Sequence, residues 1–115
     1  MQDYRHLRVW QLATETAVDV YQLTNTFPRH EIYGLTQQMR RASISIASNI
    51  AEGAGRDTRA DFKRFCSIAL GSAHELECQA EIAIRLGYAP RSNSVVGASA
   101  SLIRMLSALL KTLEA

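Results

Sequence analysis

The stretch YGLTQQMRRASISIASNIAEGAGR, residues 33–56, decides the fold that this sequence predicts. Its apolar residues recur every three or four positions on more than one side, which is typical of a helix that packs against several neighbours. Gly53 and Gly55 interrupt the pattern, and Thr58 then provides an N-cap for another helix, with Asp61 in its first turn. The stretch therefore predicts a helix over residues 33–52 that other elements cover on several sides.

Apolar spacing elsewhere predicts three further helices. The four predicted helices cover about residues 7–26, 33–52, 58–86 and 94–113. Pro28 ends the first, because the residue before a proline is disfavoured in a helix, and Gly87 is placed to cap the third. The links are short and no strand pattern occurs. The sequence therefore predicts one all-α domain over residues 1–115, an antiparallel up-down-up-down four-helix bundle.

Composition points to an ordinary globular domain. The chain has 115 residues and a formal net charge of +2, too small to indicate a partner. No apolar run approaches the roughly 20 residues of a bilayer span, and the first residues lack a signal-peptide pattern. Cys66 and Cys78 lie twelve residues apart on one predicted helix, a rise of about 18 Å that forbids a disulfide between them. We therefore expect two buried, reduced thiols and a cytoplasmic protein.

A row of cations along the third helix is the candidate nucleic-acid surface. Arginines outnumber lysines by eleven to two, which favours bidentate contacts with phosphate or carboxylate groups. The row steps by three and four residues, and its candidate members are Arg56, Arg59 and Lys63, with Arg8. No RNA-recognition, KH or zinc-finger signature accompanies the row, so we expect no sequence-specific recognition. The alternative interpretation is that these cations pair with carboxylates across subunits.

The second helix also carries the candidates for subunit contact. They are Ile44, Ala47, Asn49, Ala51 and Glu52. Asn49 lies on the apolar stripe, where a polar side chain can fix register and oligomeric state at a cost in stability. A catalytic role for Glu52 is disfavoured, because neither a nucleophile nor a histidine base is predicted nearby. The small residues of the second and third helices predict close backbone approach, and we expect Gly71 to lie where no side chain fits.

A metal site is the remaining chemical possibility. His74, Glu77, Cys78 and Glu81 share one side of the third helix. Carboxylate-bridged metal sites in helical bundles need Glu-x-x-His pairs and carboxylates at matching depth on neighbouring helices. Here the order is reversed, and Glu31 is the only carboxylate expected at that depth. The sequence therefore predicts no metal and no cofactor.

Four segments together resemble one known family. They are LRVWQLA, FPRHEIYGLTQQMRRASISIASNIAEGAGR, FKRFCSIALGSAHELECQ and LGY, which begin at residues 7, 27, 62 and 86. The chain is similar in these segments to the four-helix proteins named for 23S rRNA intervening sequences. Ala47 departs from the family pattern, which often has proline there.

The resemblance implies a cytoplasmic ring, expected to be a homopentamer, without enzymatic activity, membrane contact or small-molecule substrate. It also implies a relation to accessory proteins of diversity-generating retroelements, which bind nucleic acid and a reverse transcriptase. Two hypotheses follow. The first is an adaptor that binds structured RNA or a nucleoprotein through the cationic row, and the second is a purely structural or protein-interaction oligomer.

Overall fold

Four α-helices make up the fold in the computed structural model, which describes residues 3–114. They are α1 (Arg8–Thr24), α2 (Leu35–Ala54), α3 (Arg59–Arg85) and α4 (Ser94–Glu114). Short 3-10 turns at Tyr4–His6 and Arg29–Glu31 precede α1 and α2. No strand occurs within residues 3–114. The prediction of an all-α fold with four helices is confirmed.

The ends of α3 follow the predicted capping chemistry. The Thr58 hydroxyl oxygen accepts a hydrogen bond from the Asp61 amide at 3.1 Å, which satisfies one of the free donors of the first turn. Gly87 follows α3 with φ of 78°, a left-handed conformation that glycine adopts without strain. The Tyr88 amide then donates to the Ala83 carbonyl at 2.9 Å. These two residues, Thr58 and Gly87, therefore define where the longest helix begins and ends.

The core is built from one face of each helix. Its largest fully buried side chains are those of Val20, Met39, Ile46, Ile50, Leu76, Val95, Leu102 and Leu106. A smaller cluster of Ala54, Phe62 and Cys66 lies beside it, packed against Tyr4, Leu7 and the last leucines of α4. This second cluster seats the first 3-10 turn against the end of the molecule where α2 passes into α3.

The close approach of α2 and α3 depends on Gly53. A Cβ added there would lie 2.8 Å from the Cβ of Phe65 and 3.0 Å from Cδ1 of Phe62. Helix α2 continues through Gly53 to Ala54, two residues beyond its predicted end. Gly53 is therefore a packing residue inside the helix, because only a hydrogen atom fits between α2 and α3 at this point.

Two expectations about α3 are wrong. A Cβ on Gly71 would have no atom within 4 Å, so this glycine is not enforced by crowding. Cys78 is exposed, whereas Cys66 is buried. In both cases the reason is position on the helix, since these residues fall on the outer side of α3 and not on its packed side. Burial raises the pKa of the Cys66 thiol to about 11.

By length and composition α4 is apolar enough to cross a membrane, and it is the one such helix within residues 3–114. The expectation that no apolar run approaches the length of a bilayer span is therefore not met by α4, which has 21 residues. The indication is weak, because buried helices of soluble proteins meet the same criteria. In this fold α4 contributes Val95, Ser99, Leu102 and Leu106 to the core.

Candidate nucleic-acid interface

The cationic row lies where α2 passes into α3. Arg56 stands in the connecting turn, Arg59 is the first residue of α3, and Lys63 follows one helical turn later. Nη2 of Arg56 lies 2.9 Å from Oε2 of Glu52, an ion pair at i,i+4 spacing. Nζ of Lys63 lies 4.0 Å from Oε1 of Glu114. The structure thus brings Arg56, Arg59 and Lys63 together, and carboxylates lie beside Arg56 and Lys63.

An aromatic ring organises the row in a way the sequence did not reveal. The guanidinium carbons of Arg56 and Arg64 lie 4.9 Å and 4.4 Å from the centre of the Phe65 ring. Such contacts place a guanidinium over the ring face while its N–H donors can still meet an anion at the edge. Those of Arg56 meet Glu52, and Nη2 of Arg64 lies 3.8 Å from Oδ1 of Asp61. Arg64 therefore joins the row. No signal in the sequence marks it, since helical spacing places Phe65 only among the apolar residues of α3.

The surface beside the row is of mixed charge. A shallow depression there is lined by Ser48, Ala51, Glu52, Gly55, Arg56, Asp57, Thr58 and Asp61. Three carboxylates in this lining offset the guanidinium of Arg56. The charges of the row are therefore largely balanced in a single copy of the chain, and several copies are needed to neutralise many phosphates together.

Arg8, the fourth candidate, takes no part in the ion pairs of the row. It is the first residue of α1 and its side chain is exposed. It forms no ion pair with any residue between 3 and 114. Its guanidinium is therefore available to an anion from solution.

The candidate subunit-contact residues lie along the second half of α2. Ile44 is exposed midway along α2, in a groove between α1 and α2, and Ala51 and Glu52 line the depression at the end of α2. Ala47 is half-buried against the core. The Asn49 amide donates to the carbonyl and the hydroxyl of Ser45, at 2.8 Å and 3.0 Å. Asn49 is thus engaged within its own helix, and its role in oligomeric state stays a prediction.

The residues considered for a metal lie in a shallow depression against Val96. Among residues 3–114 no three histidine, cysteine or carboxylate side chains lie close enough to share a metal ion. Glu81 instead accepts hydrogen bonds from Arg85 at 3.0 Å and from Arg91 at 2.9 Å. These two guanidinium groups, that of Arg91 first, lower the pKa of Glu81 to about 2.

A polar clamp that the sequence did not reveal lies at the far end of α2. The Tyr88 hydroxyl donates to Oε2 of Glu31 at 2.8 Å, and Oε1 of Glu31 accepts from the Leu35 amide at 3.1 Å. These hydrogen bonds, led by that of the Leu35 amide, lower the pKa of Glu31. The clamp joins the segment before α2 to the turn after α3.

Comparison with known proteins gives two similarities. The sequence profile of the 23S rRNA-intervening sequence protein family matches residues 5–108. The fold is similar to the crystal structure of a protein of unknown function of the S23 ribosomal protein family from Bacteroides thetaiotaomicron, with a TM-score of 0.81. The two sequences are 28% identical, and the similarity covers 90% of this chain and 95% of the other. No curated protein matches the sequence.

Proposed function

The chain belongs to the 23S rRNA-intervening sequence protein family, and from this membership we propose that it is a non-enzymatic nucleic-acid adaptor that acts as a homo-oligomeric ring. The ring is a homopentamer in the cytoplasm. It takes no cofactor, small-molecule substrate or membrane as partner. Its ligand is structured RNA or a nucleoprotein.

The proposed subunit is an antiparallel up-down-up-down bundle. Three contacts support it. Nε of Arg40, near the start of α2, donates to the hydroxyl of Thr24 at the end of α1, at 2.9 Å. The Ser94 hydroxyl, at the start of α4, donates to Asp19 at 3.1 Å. Gly53, at the end of α2, faces the beginning of α3.

The main support for the adaptor function is the cationic row, in which Arg56 and Arg64 lie over the ring of Phe65. Guanidinium groups that are already oriented lose less conformational freedom when they bind a phosphate in bidentate fashion. In a ring the row repeats once per subunit, so the number of phosphates bound rises with the subunit count. Repetition thereby offsets the weak charge of one subunit, because each neutralised phosphate adds to the affinity through released counterions.

The second candidate function is that of a purely structural or protein-interaction oligomer, and the ion pairs of the row favour it. Arg56 and Lys63 already lie near carboxylates of their own chain. If neighbouring subunits supply further carboxylates, the row stabilises the ring and binds no nucleic acid. The two functions predict different results for the same variant.

The test replaces Arg56, Arg59 and Lys63 by glutamine and measures binding to a structured rRNA fragment across a salt titration. The matched control replaces Arg29, Arg85 and Arg104 by glutamine, which removes the same charge from exposed positions elsewhere. Native mass is measured for each protein. We expect the row variant alone to bind more weakly while its mass is unchanged. Its plot of log affinity against log salt should become shallower by about 0.7–0.9 for each phosphate that the variant no longer neutralises.

An equal fall in affinity in both variants would refute the row as the binding surface. Dissociation of the row variant into monomers would support the ion-pair function. Absence of binding by the wild-type protein at low salt would refute the adaptor itself.

A further inference from the structure

Exposed apolar side chains collect along a groove between α1 and α2. The groove is lined by Tyr21, Ile32, Tyr33, Gln37, Arg41 and Ile44 among others, and we name it the α1–α2 groove. Tyr33 is 88% exposed and Ile44 is 45% exposed. Tyrosine, isoleucine and arginine together are typical of protein contact surfaces, where burial of the apolar parts supplies most of the affinity.

A second exposed apolar surface runs along the outside of α3. Ile68, Gly71, Glu75, Ile82 and Leu86 are all exposed, and their spacing of three, four and seven residues places them on one side. We name these five residues the α3 ridge. One helical turn from its start at Ile68, Gly71 leaves open space, since a Cβ there would meet no atom within 4 Å. A glycine inside a helix is destabilising relative to alanine, and no contact within residues 3–114 requires this one.

Two contacts fix how α2 and α3 lie alongside each other. The hydroxyl oxygens of Ser45 and Ser72 are 2.9 Å apart. Further along α2, Gly53 faces Phe65, which lies further back along α3. We call the position of a residue along the long axis of the bundle its height. Each helical residue rises about 1.5 Å. Because α2 and α3 run in opposite directions in the proposed bundle, heights are counted forward on α2 and backward on α3.

This count places the groove and the ridge in register. Ile44 stands at a height midway between Gly71 and Glu75, and Arg41 stands within about one residue of Glu75. At the end of the molecule, Tyr33 precedes α2 where Leu86 follows α3. The groove and the ridge therefore share three levels: Ile44 near Gly71, Arg41 near Glu75, and Tyr33 near Leu86.

We propose that the α1–α2 groove of one copy of this chain receives the α3 ridge of the next copy. Ile44 then enters the space at Gly71, and Arg41 pairs with Glu75. The proposal rests on the homo-oligomer proposed above and names the contact that builds it. Rotation about a ring axis parallel to the helices leaves heights unchanged, so residues that stand level within one chain meet between neighbouring chains.

Charge supports this occupant. Arg41 and Glu75 have opposite charges, both are exposed, and neither forms an ion pair within residues 3–114. A neighbour that brings them together satisfies both. A rim pair of this kind mainly sets register and partner choice.

An unpaired buried oxygen gives independent support. Gln79 is only 6% exposed, and its Oε1 has no hydrogen-bond partner within residues 3–114. It lines the opening between α2 and α3 beside Arg41 and Glu75. Buried amide oxygens are normally paired. Gln37 of a neighbouring copy stands within about one residue of this height and carries an amide donor.

The contact joins two different surfaces. It is therefore heterologous, and successive copies generate a closed ring when the rotation between them closes. A two-fold dimer would instead bring each surface against itself. This difference decides the experiment.

Two proteins with a single exposed cysteine test the contact, both carrying Cys78→Ser to remove the exposed native thiol and retaining the buried Cys66. One carries Ile44→Cys and the other Gly71→Cys. Each is oxidised alone, and the two are oxidised after coexpression. We expect a disulfide-linked dimer of about twice the chain mass only in the coexpressed sample. Dimers of the Ile44→Cys protein alone would overturn the proposal, because they require groove against groove.

Charge exchange provides a second measurement that does not depend on disulfide geometry. Arg41→Glu and Glu75→Arg should each raise the concentration at which the oligomer dissociates by at least tenfold, and the double variant should restore it. Arg104→Glu, an exposed change on α4, is the matched control. Unchanged dissociation in both single variants would overturn the groove–ridge contact while leaving the oligomer and its RNA binding intact. A monomeric wild-type protein would instead refute the oligomer on which the proposal rests.

Discussion

Gly53→Ala tests how closely α2 and α3 approach. Alanine is favoured over glycine inside a helix by about 1 kcal/mol, so propensity alone predicts a more stable protein. The new Cβ would however lie 2.8 Å from the Cβ of Phe65, and 3.3 Å from the carbonyl oxygen of Phe62. Carbon atoms in contact normally stand about 3.5–4.0 Å apart. Because these neighbours belong to or adjoin the backbone, α2 and α3 must move apart.

The magnitude follows from the balance of these two effects. Overpacking of a filled core costs about 1–3 kcal/mol, and neighbours that cannot rotate away place this site in the upper part of that range. After the propensity gain is subtracted, we expect a net decrease of about 1–2 kcal/mol in the free energy of unfolding.

Urea unfolding followed by circular dichroism measures this decrease at one fixed protein concentration, since dissociation of an oligomer makes stability concentration-dependent. Gly97→Ala is the matched control. Gly97 lies in α4, where a Cβ would meet no atom within 4 Å. The Gly97→Ala substitution should raise the free energy of unfolding by roughly 0.5–1 kcal/mol. A Gly53→Ala protein as stable as the wild type would refute the argument from close approach.

Two further predictions concern titratable groups. Because the pKa of Glu81 falls from an ordinary 4.5 to about 2 in the fold, Glu81 binds protons less readily folded than unfolded, and its stabilising effect is lost as pH falls from about 4.5 toward 2. Carbon-13 NMR should show its carboxyl titrating near pH 2 and, in Arg91→Gln, at higher pH; a wild-type midpoint at the ordinary value would contradict the pairing. A thiol reagent at pH 8 should modify Cys78 in the native protein and Cys66 only after denaturation, because the pKa of Cys66 is about 11. Mass spectrometry of peptides distinguishes the two, and equal native labelling of both cysteines would contradict the burial of Cys66.

The number and type of helices could be predicted because helical spacing and capping are local. Thr58 and Gly87 act within a few residues of themselves, so the sequence displays their chemistry directly. The roles of Gly53 and Gly71 could not be separated in this way. Both are glycines in helices, and only the position of Phe65 shows which of them is crowded.

The candidate site was predictable to the same limited degree. The ion pair of Arg56 with Glu52 follows from i,i+4 spacing. The guanidinium contacts with Phe65 depend on side-chain directions that spacing leaves open. The bond from Tyr88 to Glu31 joins residues 57 positions apart. No local pattern encodes such a partner.

The small residues on the buried faces of α2 and α3 make this protein's tolerance of mutation one-sided. These buried positions include Ala42, Ser43, Gly53, Ala69, Ala73, Ala80 and Ala83. An alanine or glycine has almost nothing to lose, so most substitutions there can only add atoms. A single base change in the gene converts alanine to valine or threonine, and glycine to alanine. Mutations at these positions of α2 and α3 therefore mostly add side-chain volume that pushes the two helices apart, and they seldom create a cavity.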